Sequence, residues 1–291
     1  MAEYQESGPE LASVVGSDPE DLADWRSKRI RDNRPLALFH AKFWGKSMAD
    51  EEEEWRNSRP PIGAIEGELG DKDGDGDERM NEGSDETMHG GQGTEVEDDI
   101  LPGCYLLDIG IRGLDFRKIW VRAEYQRVYN LVEAHYKKPG VPYGQAPAVV
   151  VTGQPGIGVF SLSPFVILIL TQRLIRTGKS VWIYYALRRR FAEEKPVIWY
   201  KDKTCFLFTG EGVYEAPPSS KPSYFEVFVW TLVDSDEARD GVPDTLVPHG
   251  TRHFVIYATS PLKERWSRLH KTVRSIRAIM NPWTRAEIFQ A

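Results

Sequence analysis

Apolar residues recur in the last two thirds of the chain with two periods, one typical of helices and one of buried strands. Between Lys118 and Lys138 they are spaced three or four positions apart, which predicts a helix ended by Pro139-Gly140. Two further helices are predicted over Ser180 to about Glu194 and Leu262 to about Met280. Short apolar runs predict strands at Ala148–Thr152, Val197–Tyr200, Cys205–Phe208, Tyr224–Asp234 and Arg252–Ser260. This alternation predicts an α/β fold, with a mostly parallel sheet flanked by helices on both faces.

The first hundred residues have a different composition from the rest. They contain 27 Asp/Glu and 11 Lys/Arg, whereas the remainder contains 17 and 26. Few of them are branched or aromatic, so this segment buries too little apolar surface to offset the entropy of ordering it. We therefore expect residues 1–100 to be a largely disordered acidic tail, with short helices near Pro19–Lys28 and Leu36–Met48, and residues 101–291 to be the folded domain.

A calcium-binding pattern occurs inside the acidic tail, over Asp71–Glu82. The spacing of its acidic residues and of Gly76 matches an EF-hand loop. Both flanks are rich in glycine and predict no helices, which a functional hand requires, and Glu78 stands where an apolar residue is usual. We therefore interpret the segment as an acidic linker rather than a calcium site.

A basic cluster, Arg26–Arg34, has five Lys/Arg residues. Such a cluster serves as a nuclear address or a nucleic-acid contact in some proteins. A solvated helix face explains it equally simply, and we favour that interpretation.

The cellular compartment is predicted from the cysteine content and from the absence of a signal-peptide pattern and of a membrane-spanning run. Two cysteines, Cys104 and Cys205, are too few for a disulfide scaffold in a chain of 291 residues. The N-terminus has no signal-peptide pattern. The longest apolar run, Val159–Leu170, is shorter than the roughly 20 residues that cross a bilayer. We expect an intracellular protein, cytoplasmic or nuclear, without a membrane partner.

Two halves of a phosphate-binding loop are separated in the sequence. The first half follows the strand that ends at Thr152 and comprises Gly153, Gln154, Pro155, Gly156, Ile157 and Gly158. The second half, Lys179-Ser180, opens a predicted helix. Without residues 159–178 the chain reads G-Q-P-G-I-G-K-S between a strand and a helix, which is a complete motif for binding nucleotide phosphates. Lysine would contact the phosphates, and the serine hydroxyl would bind Mg²⁺.

The intervening residues 159–178 have the composition of translated intron. A glycine codon at Gly158 can provide the GT boundary and the junction of the Thr177 and Gly178 codons the AG boundary, and the apolar interior suits pyrimidine-rich codons. We interpret the segment as a retained intron, which cDNA sequencing across Gly158–Lys179 would test. The alternative is a genuine loop insertion that arose after function was lost.

Two more strand ends carry candidate groups for nucleotide chemistry. Asp234 ends an apolar strand, as the Walker B aspartate that orders Mg²⁺ does, although an acid there is also a common turn or cap residue. Ser235 follows it where a catalytic glutamate is usual, which leaves Glu237 as a substitute. Thr259 and Ser260 end another strand, where a sensor residue could contact the γ-phosphate.

The chain from about Ile119 resembles the P-loop domain of crinkler-type and retrotransposon-hot-spot-like proteins. The resemblance lies in "AVVVTGQPGIG", "KSVWIYYALRRR", "VFVWTLVDS", "FVIYATSP" and "MNPWTRAEI". It implies an additional-strand ATPase core that uses ATP and Mg²⁺ and is often joined to other effector domains. It also implies a further element beyond the "MNPW" segment, so that the domain would be incomplete here.

The predicted function is that of an ATPase-type nucleotide-binding domain impaired by its split loop. If residues 159–178 lengthened the helix, Lys179 would leave the loop, and catalysis that depends on positioning would be lost. We therefore expect little or no ATPase activity, and ATP–Mg²⁺ binding once the insert is removed. The alternatives are a non-catalytic interaction module, which would have protein partners, and, ranked last, a nucleic-acid-binding protein.

Overall fold

The strands of this chain form one seven-stranded sheet and a separate two-stranded sheet. The structure is a computed structural model that describes residues 10–58, 104–110, 118–138, 146–153, 178–218, 225–235, 238, 240–248, 250–284 and 287. The strands are β1 (Tyr105–Asp108), β2 (Lys118–Val121), β3 (Ala148–Gly153), β4 (Val197–Lys201), β5 (Thr204–Thr209), β6 (Gly212–Glu215), β7 (Val229–Asp234), β8 (His253–Thr259) and β9 (Ser275–Met280). The helices are α1 (Leu11–Val15), α2 (Pro19–Ser27), α3 (Pro35–Phe43), α4 (Met48–Asn57), α5 (Ala123–Tyr136), α6 (Gly178–Ala192) and α7 (Lys263–Thr272).

The large sheet has the strand order β6-β5-β4-β7-β8-β3-β9. Its five strands from β4 to β9 are parallel to their neighbours, while β5 and β6 form antiparallel pairs at one edge. The predicted mostly parallel α/β sheet is therefore confirmed. The small sheet is the antiparallel pair β1 and β2.

Helices cover both faces of the large sheet because its central strands are apolar on both sides. One core packs α3, α5 and α6 against alternate residues of the parallel strands, including Val151, Leu232 and Ile256. A second core, on the opposite face, packs α7 and the segment 238–247 against residues such as Val150 and Tyr257. Alternation along each strand thus determines which face each side chain reaches.

The N-terminal helices belong to this fold, where the sequence predicted a largely disordered tail. The helices expected near 19–28 and 36–48 are confirmed as α2 and α3, and α1 and α4 are additional. Asp18 caps α2 by accepting hydrogen bonds from the backbone amides of Glu20 and Asp21 at 2.9 and 3.2 Å. Phe39 of this region is buried in the first core, and Leu11 is buried in a third core that also contains Ile198 of β4 and Leu207 of β5. The division at residue 100 therefore does not separate residues 10–58 from the domain.

The basic cluster 26–34 lies at the end of α2 and in the connection to α3. Most of its side chains are exposed as expected, but of its basic residues only Arg26 lies in a helix, so the predicted helix face is wrong. Its backbone pairs with the edge strand β6, since the amide of Ile30 donates to the carbonyl of Val213 at 2.8 Å. The amide of Glu215 donates to the carbonyl of Lys28 at 3.1 Å. This segment covers the β6 edge of the sheet.

Two predicted helices differ from the structure. Over 118–138 the first four residues form β2 and the helix begins at Ala123, because Ile119 and Val121 alternate in burial as strand residues do. The helix predicted from Leu262 to Met280 ends at Thr272, and Ser275–Met280 forms the edge strand β9. The predicted strands are confirmed to within one residue, except that β7 begins at Val229 rather than Tyr224. Within the described ranges, no helix is long and apolar enough to cross a lipid bilayer.

Candidate functional site

The predicted site residues converge on one edge of the sheet, where the parallel strands end. The register pairs Thr152 with Thr259 across β3 and β8, and Gly153 with Met280 across β3 and β9. Asp234, at the end of β7, pairs with Ala258. Neighbouring strands lie about 4.8 Å apart, so these strand ends occupy a row of four adjacent positions. In open α/β sheets this edge is the usual place for a ligand.

Lys179 contacts the end of β3 although 26 residues separate it from Gly153. Its Nζ donates a hydrogen bond to the carbonyl oxygen of Gly153 at 3.1 Å, and its side chain is buried. This contact is possible because α6 begins at Gly178, one residue before the lysine. The first turn of α6 is therefore in contact with the end of β3 through this lysine. Ser180, also buried, occupies the next position in the first turn of α6.

Asp234 lies on the same face of the sheet as α6. Trp230 and Leu232 precede it by four and two positions in β7, and both belong to the core that contains α6. The residue is 9% exposed. Burial raises the pKa of the Tyr257 hydroxyl, and the negative charge of Asp234 adds to this shift. Asp234 thus forms part of the strand-end row that contains Gly153.

Thr259 and Ser260 have side-chain oxygens that make no hydrogen bond within the described part of the chain, and both atoms are buried. Thr259 shares a strand face with Tyr257, opposite to the face of Asp234. The Tyr257 hydroxyl lies close to Thr259, but it donates to the carbonyl oxygen of Ala238 at 2.9 Å. Buried hydroxyls usually have a partner, so two such groups at one strand end are a feature of a ligand site.

Other predicted residues lie outside the described residues. These are Gln154, Pro155, Gly156, Ile157, Gly158 and Glu237, together with the segments 71–82 and 159–177. Of the predicted phosphate loop, the structure therefore describes Gly153 at its start and Lys179 and Ser180 at its end. Within the described ranges, no cluster of three His, Cys, Asp or Glu side chains is arranged to hold a metal ion.

A network around Arg122 borders this edge of the sheet and was not predicted from the sequence. The guanidinium of Arg122 is buried and forms two hydrogen bonds with the carboxylate of Glu287, at 3.1 and 3.0 Å. It also donates to the carbonyl oxygen of Pro282 at 2.9 Å and lies 4.5 Å from the centroid of the Trp283 ring. The segment that follows β9 is thereby fixed against the start of α5.

The same segment is fixed by two carboxylates. Glu124 accepts a hydrogen bond from the amide of Asn281 at 2.6 Å. Burial opposes ionisation of Glu124, but hydrogen bonds from Arg127 and Asn281 outweigh it and lower the pKa of this carboxyl. Glu287 accepts from the amide of Thr284 at 2.8 Å, and its own amide donates to the Thr284 hydroxyl at 3.2 Å. This reciprocal pair is a capping box, and the T-x-x-E spacing is its sequence signal.

A cavity of about 420 Å³ lies elsewhere, between α4, α5 and α6. Tyr105, Tyr185, Glu52 and Arg189 are among the residues that line it. None of the predicted phosphate or metal residues does so. The cavity is therefore separate from the strand-end site.

Comparison of the chain with protein-family models, with curated proteins and with solved structures found no match.

Proposed function

We propose that this chain is a nucleotide-binding domain of the P-loop ATPase type, related to the crinkler-like group and impaired in hydrolysis by its split loop. The observation that carries the proposal is the hydrogen bond from Lys179 Nζ to the carbonyl oxygen of Gly153. It joins Gly153, the first residue of one half-motif, to Lys179 of the other, where a buried strand ends and a helix begins. A phosphate loop requires this arrangement, because its lysine must reach phosphates held by the backbone that follows the strand.

The strand order supports the same proposal. β8 lies between β3, which leads into the glycine segment, and β7, which ends in Asp234. A strand inserted at this position is the feature for which additional-strand ATPases are named. It also brings Ser260, whose buried hydroxyl makes no hydrogen bond within the described residues, between the phosphate residues and the acid.

The residues present suit a nucleotide bound with Mg²⁺. Mg²⁺ prefers six oxygen ligands and usually keeps several waters and phosphate oxygens, so one or two protein oxygens suffice. Ser180 and Asp234 would supply those oxygens, and Lys179 would exchange its carbonyl acceptor for a phosphate. The unpaired hydroxyl of Ser260 would donate to the terminal phosphate, with Glu237 as the residue that orients water.

A titration with ATP and Mg²⁺ tests the proposal in the full chain and in a chain that lacks residues 159–178. We expect both to bind, the shortened chain more tightly and with ATPase activity that the full chain lacks. In either chain Lys179→Ala should abolish binding, whereas Lys201→Ala, at the end of the neighbouring strand β4, should not. If neither chain binds ATP, the proposal is wrong and a non-catalytic interaction module is the better description. Equal affinity in both chains would contradict impairment by the insert.

A further inference from the structure

The segment after β9 runs beside the candidate phosphate site. Gly153 and Met280 are paired in register, and a Cβ atom on residue 153 would lie 3.1 Å from Met280 Cβ and 3.2 Å from its carbonyl oxygen. The backbones are thus in close contact where the phosphate loop starts. Three residues span at most about 10 Å, so Trp283 lies within that distance of Met280. Its ring is half-buried.

The direction of a bound nucleotide follows from the positions of the polar residues. Asp234 and Ser260 come from β7 and β8, which lie on one side of β3. These residues suit the metal-bound terminal phosphate, so the nucleoside must extend to the other side of β3. The neighbour on that side is β9, followed by the segment that contains Trp283.

Trp283 lies beside the start of α5, a helix that packs in the same core as α6, the helix of Lys179. Met280 and Ala278 of β9 belong to the core formed with α5 and α6, and α5 begins directly after Arg122. Arg122 fixes both the backbone carbonyl of Pro282 and the ring of Trp283. The indole is therefore held in place before a ligand arrives, which reduces the entropy cost of binding.

We propose, on the basis of the proposed function, that Trp283 is the stacking surface for the base of the bound nucleotide. The charge balance around the ring favours a flat uncharged group over a phosphate. Arg122 forms a bidentate ion pair with Glu287, so its charge is neutralised by a carboxylate rather than available to an anion. A nucleobase gains stacking energy on an aromatic ring without requiring a counter-charge.

The experiment compares two ligands that share phosphates but differ in the nucleoside. The full chain is titrated with Mg²⁺·ATP and with Mg²⁺·tripolyphosphate, as wild type and as Trp283→Ala, Trp283→Phe and Trp55→Ala. Trp55 is a half-buried tryptophan of α4 and serves as the matched control. Removal of a stacked aromatic ring should weaken ATP binding by about five-fold or more, while Trp283→Phe retains part of the affinity. Tripolyphosphate affinity should change less than two-fold in every variant, which also shows that each variant is folded.

Four results would overturn the inference. If Trp283→Ala binds ATP as the wild type does, the ring does not contact the base. If it loses ATP and tripolyphosphate equally, Trp283 has a structural role instead. If the wild type binds tripolyphosphate as tightly as ATP, the phosphate site stands and the base contact is refuted. When the wild type binds neither ligand, the proposed function itself fails, and this inference fails with it.

Discussion

The amine of Lys179 and the carbonyl oxygen of Gly153 lie 3.1 Å apart, although a segment of the chain longer than α6 separates them in sequence. A buried ammonium group needs oxygen partners to offset its lost hydration. The last carbonyl of β3 provides one at the point where the strand ends. The segment between them therefore begins and ends at the same place in the fold, as an insertion within a loop does.

The packing of Gly153 against Met280 predicts that Gly153→Ala is destabilising. The added methyl group would lie 3.1–3.2 Å from Met280 atoms that include its backbone oxygen, so β3 or β9 must shift. Overpacking of this kind costs about 1–3 kcal/mol. Because the shift moves the acceptor of Lys179, we expect weaker ATP binding as well. Urea unfolding and ATP titration measure the two effects, and unchanged values of both would show that the contact relaxes without consequence.

Asp234 should determine how nucleotide affinity depends on Mg²⁺. Replacement of its carboxylate by an amide, in Asp234→Asn, removes a negative ligand from the metal without changing side-chain size. We expect Mg²⁺ to increase ATP affinity in the wild type by tenfold or more and to have little effect in the variant, since a charge-assisted contact of about 1.4 kcal/mol corresponds to tenfold.

The matched control for this prediction is Asp240→Asn, an exposed acid six residues further along the chain. It should keep the Mg²⁺ dependence of the wild type. Titrations with and without EDTA provide the measurement. An Asp234→Asn variant that still responds fully to Mg²⁺ would exclude this carboxylate as a metal ligand.

The ion pair between Arg188 and Glu51 should contribute strongly to stability. Arg188 is fully buried in α6, lies 3.7 Å from the centroid of the Phe43 ring, and donates to Glu51 and to the carbonyl oxygen of Asp108. Glu51→Ala would leave the buried guanidinium without its carboxylate, at a cost of about 3 kcal/mol.

Glu53→Ala, an exposed position in the same helix, is the control for that variant and should change stability by less than about 0.5 kcal/mol. Chemical denaturation measures both changes. If the two variants are equally stable, the contact between α4 and α6 does not hold the N-terminal helices on the domain.

His253 should make stability dependent on pH. Burial lowers its pKa from 6.5 to about 4, and its Nδ1 lies 2.9 Å from the hydroxyl of Thr231. As pH falls below 6.5, the His253 imidazole becomes protonated in the unfolded chain, whereas in the folded protein it stays neutral down to about pH 4. The contribution of neutral His253 to the free energy of unfolding should therefore be complete above pH 6.5. The free energy of unfolding should decrease between pH 6.5 and 4 by on the order of 3 kcal/mol.

Denaturation curves at several pH values check this prediction in the wild type and in His253→Asn. Other groups, such as His40, whose pKa burial also lowers, contribute to both proteins equally. The wild type should thus lose more stability than the variant over this interval. Parallel pH profiles would show that His253 does not titrate as its burial requires.

Much of the sheet was predictable because buried parallel strands are apolar on both faces. β3, β7 and β8 contain almost no polar residue before their last position, so both the strands and the polar residues that end them were identified from the sequence. The candidate site depends on such strand ends. The residue types of the candidate site could therefore be identified from the sequence. The contact between Lys179 and Gly153 could be identified only from the tertiary structure.

The errors arose where an element is covered on one face only. In β9, Ile276, Ala278 and Met280 alternate with polar or exposed residues. No proline or glycine separates them from α7, so the predicted helix was extended through them. α7 ends because β9 pairs with β3, and the extended backbone at Val273 allows this change from helix to strand. Similarly, the N-terminal helices are short and lie in an acidic region, yet Leu11, Trp25 and Phe39 are buried by contacts with distant parts of the chain.

The covering of β6 by residues 28–30 bears on how the protein is handled in the laboratory. A polypeptide truncated to start near residue 101, where the amino-acid composition changes, would have β6 as an exposed edge strand with unpaired amides and carbonyls. Exposed edge strands form hydrogen-bonded pairs with strands of other molecules. We expect such a truncated form to self-associate and precipitate, whereas one that retains residue 10 onward stays monodisperse.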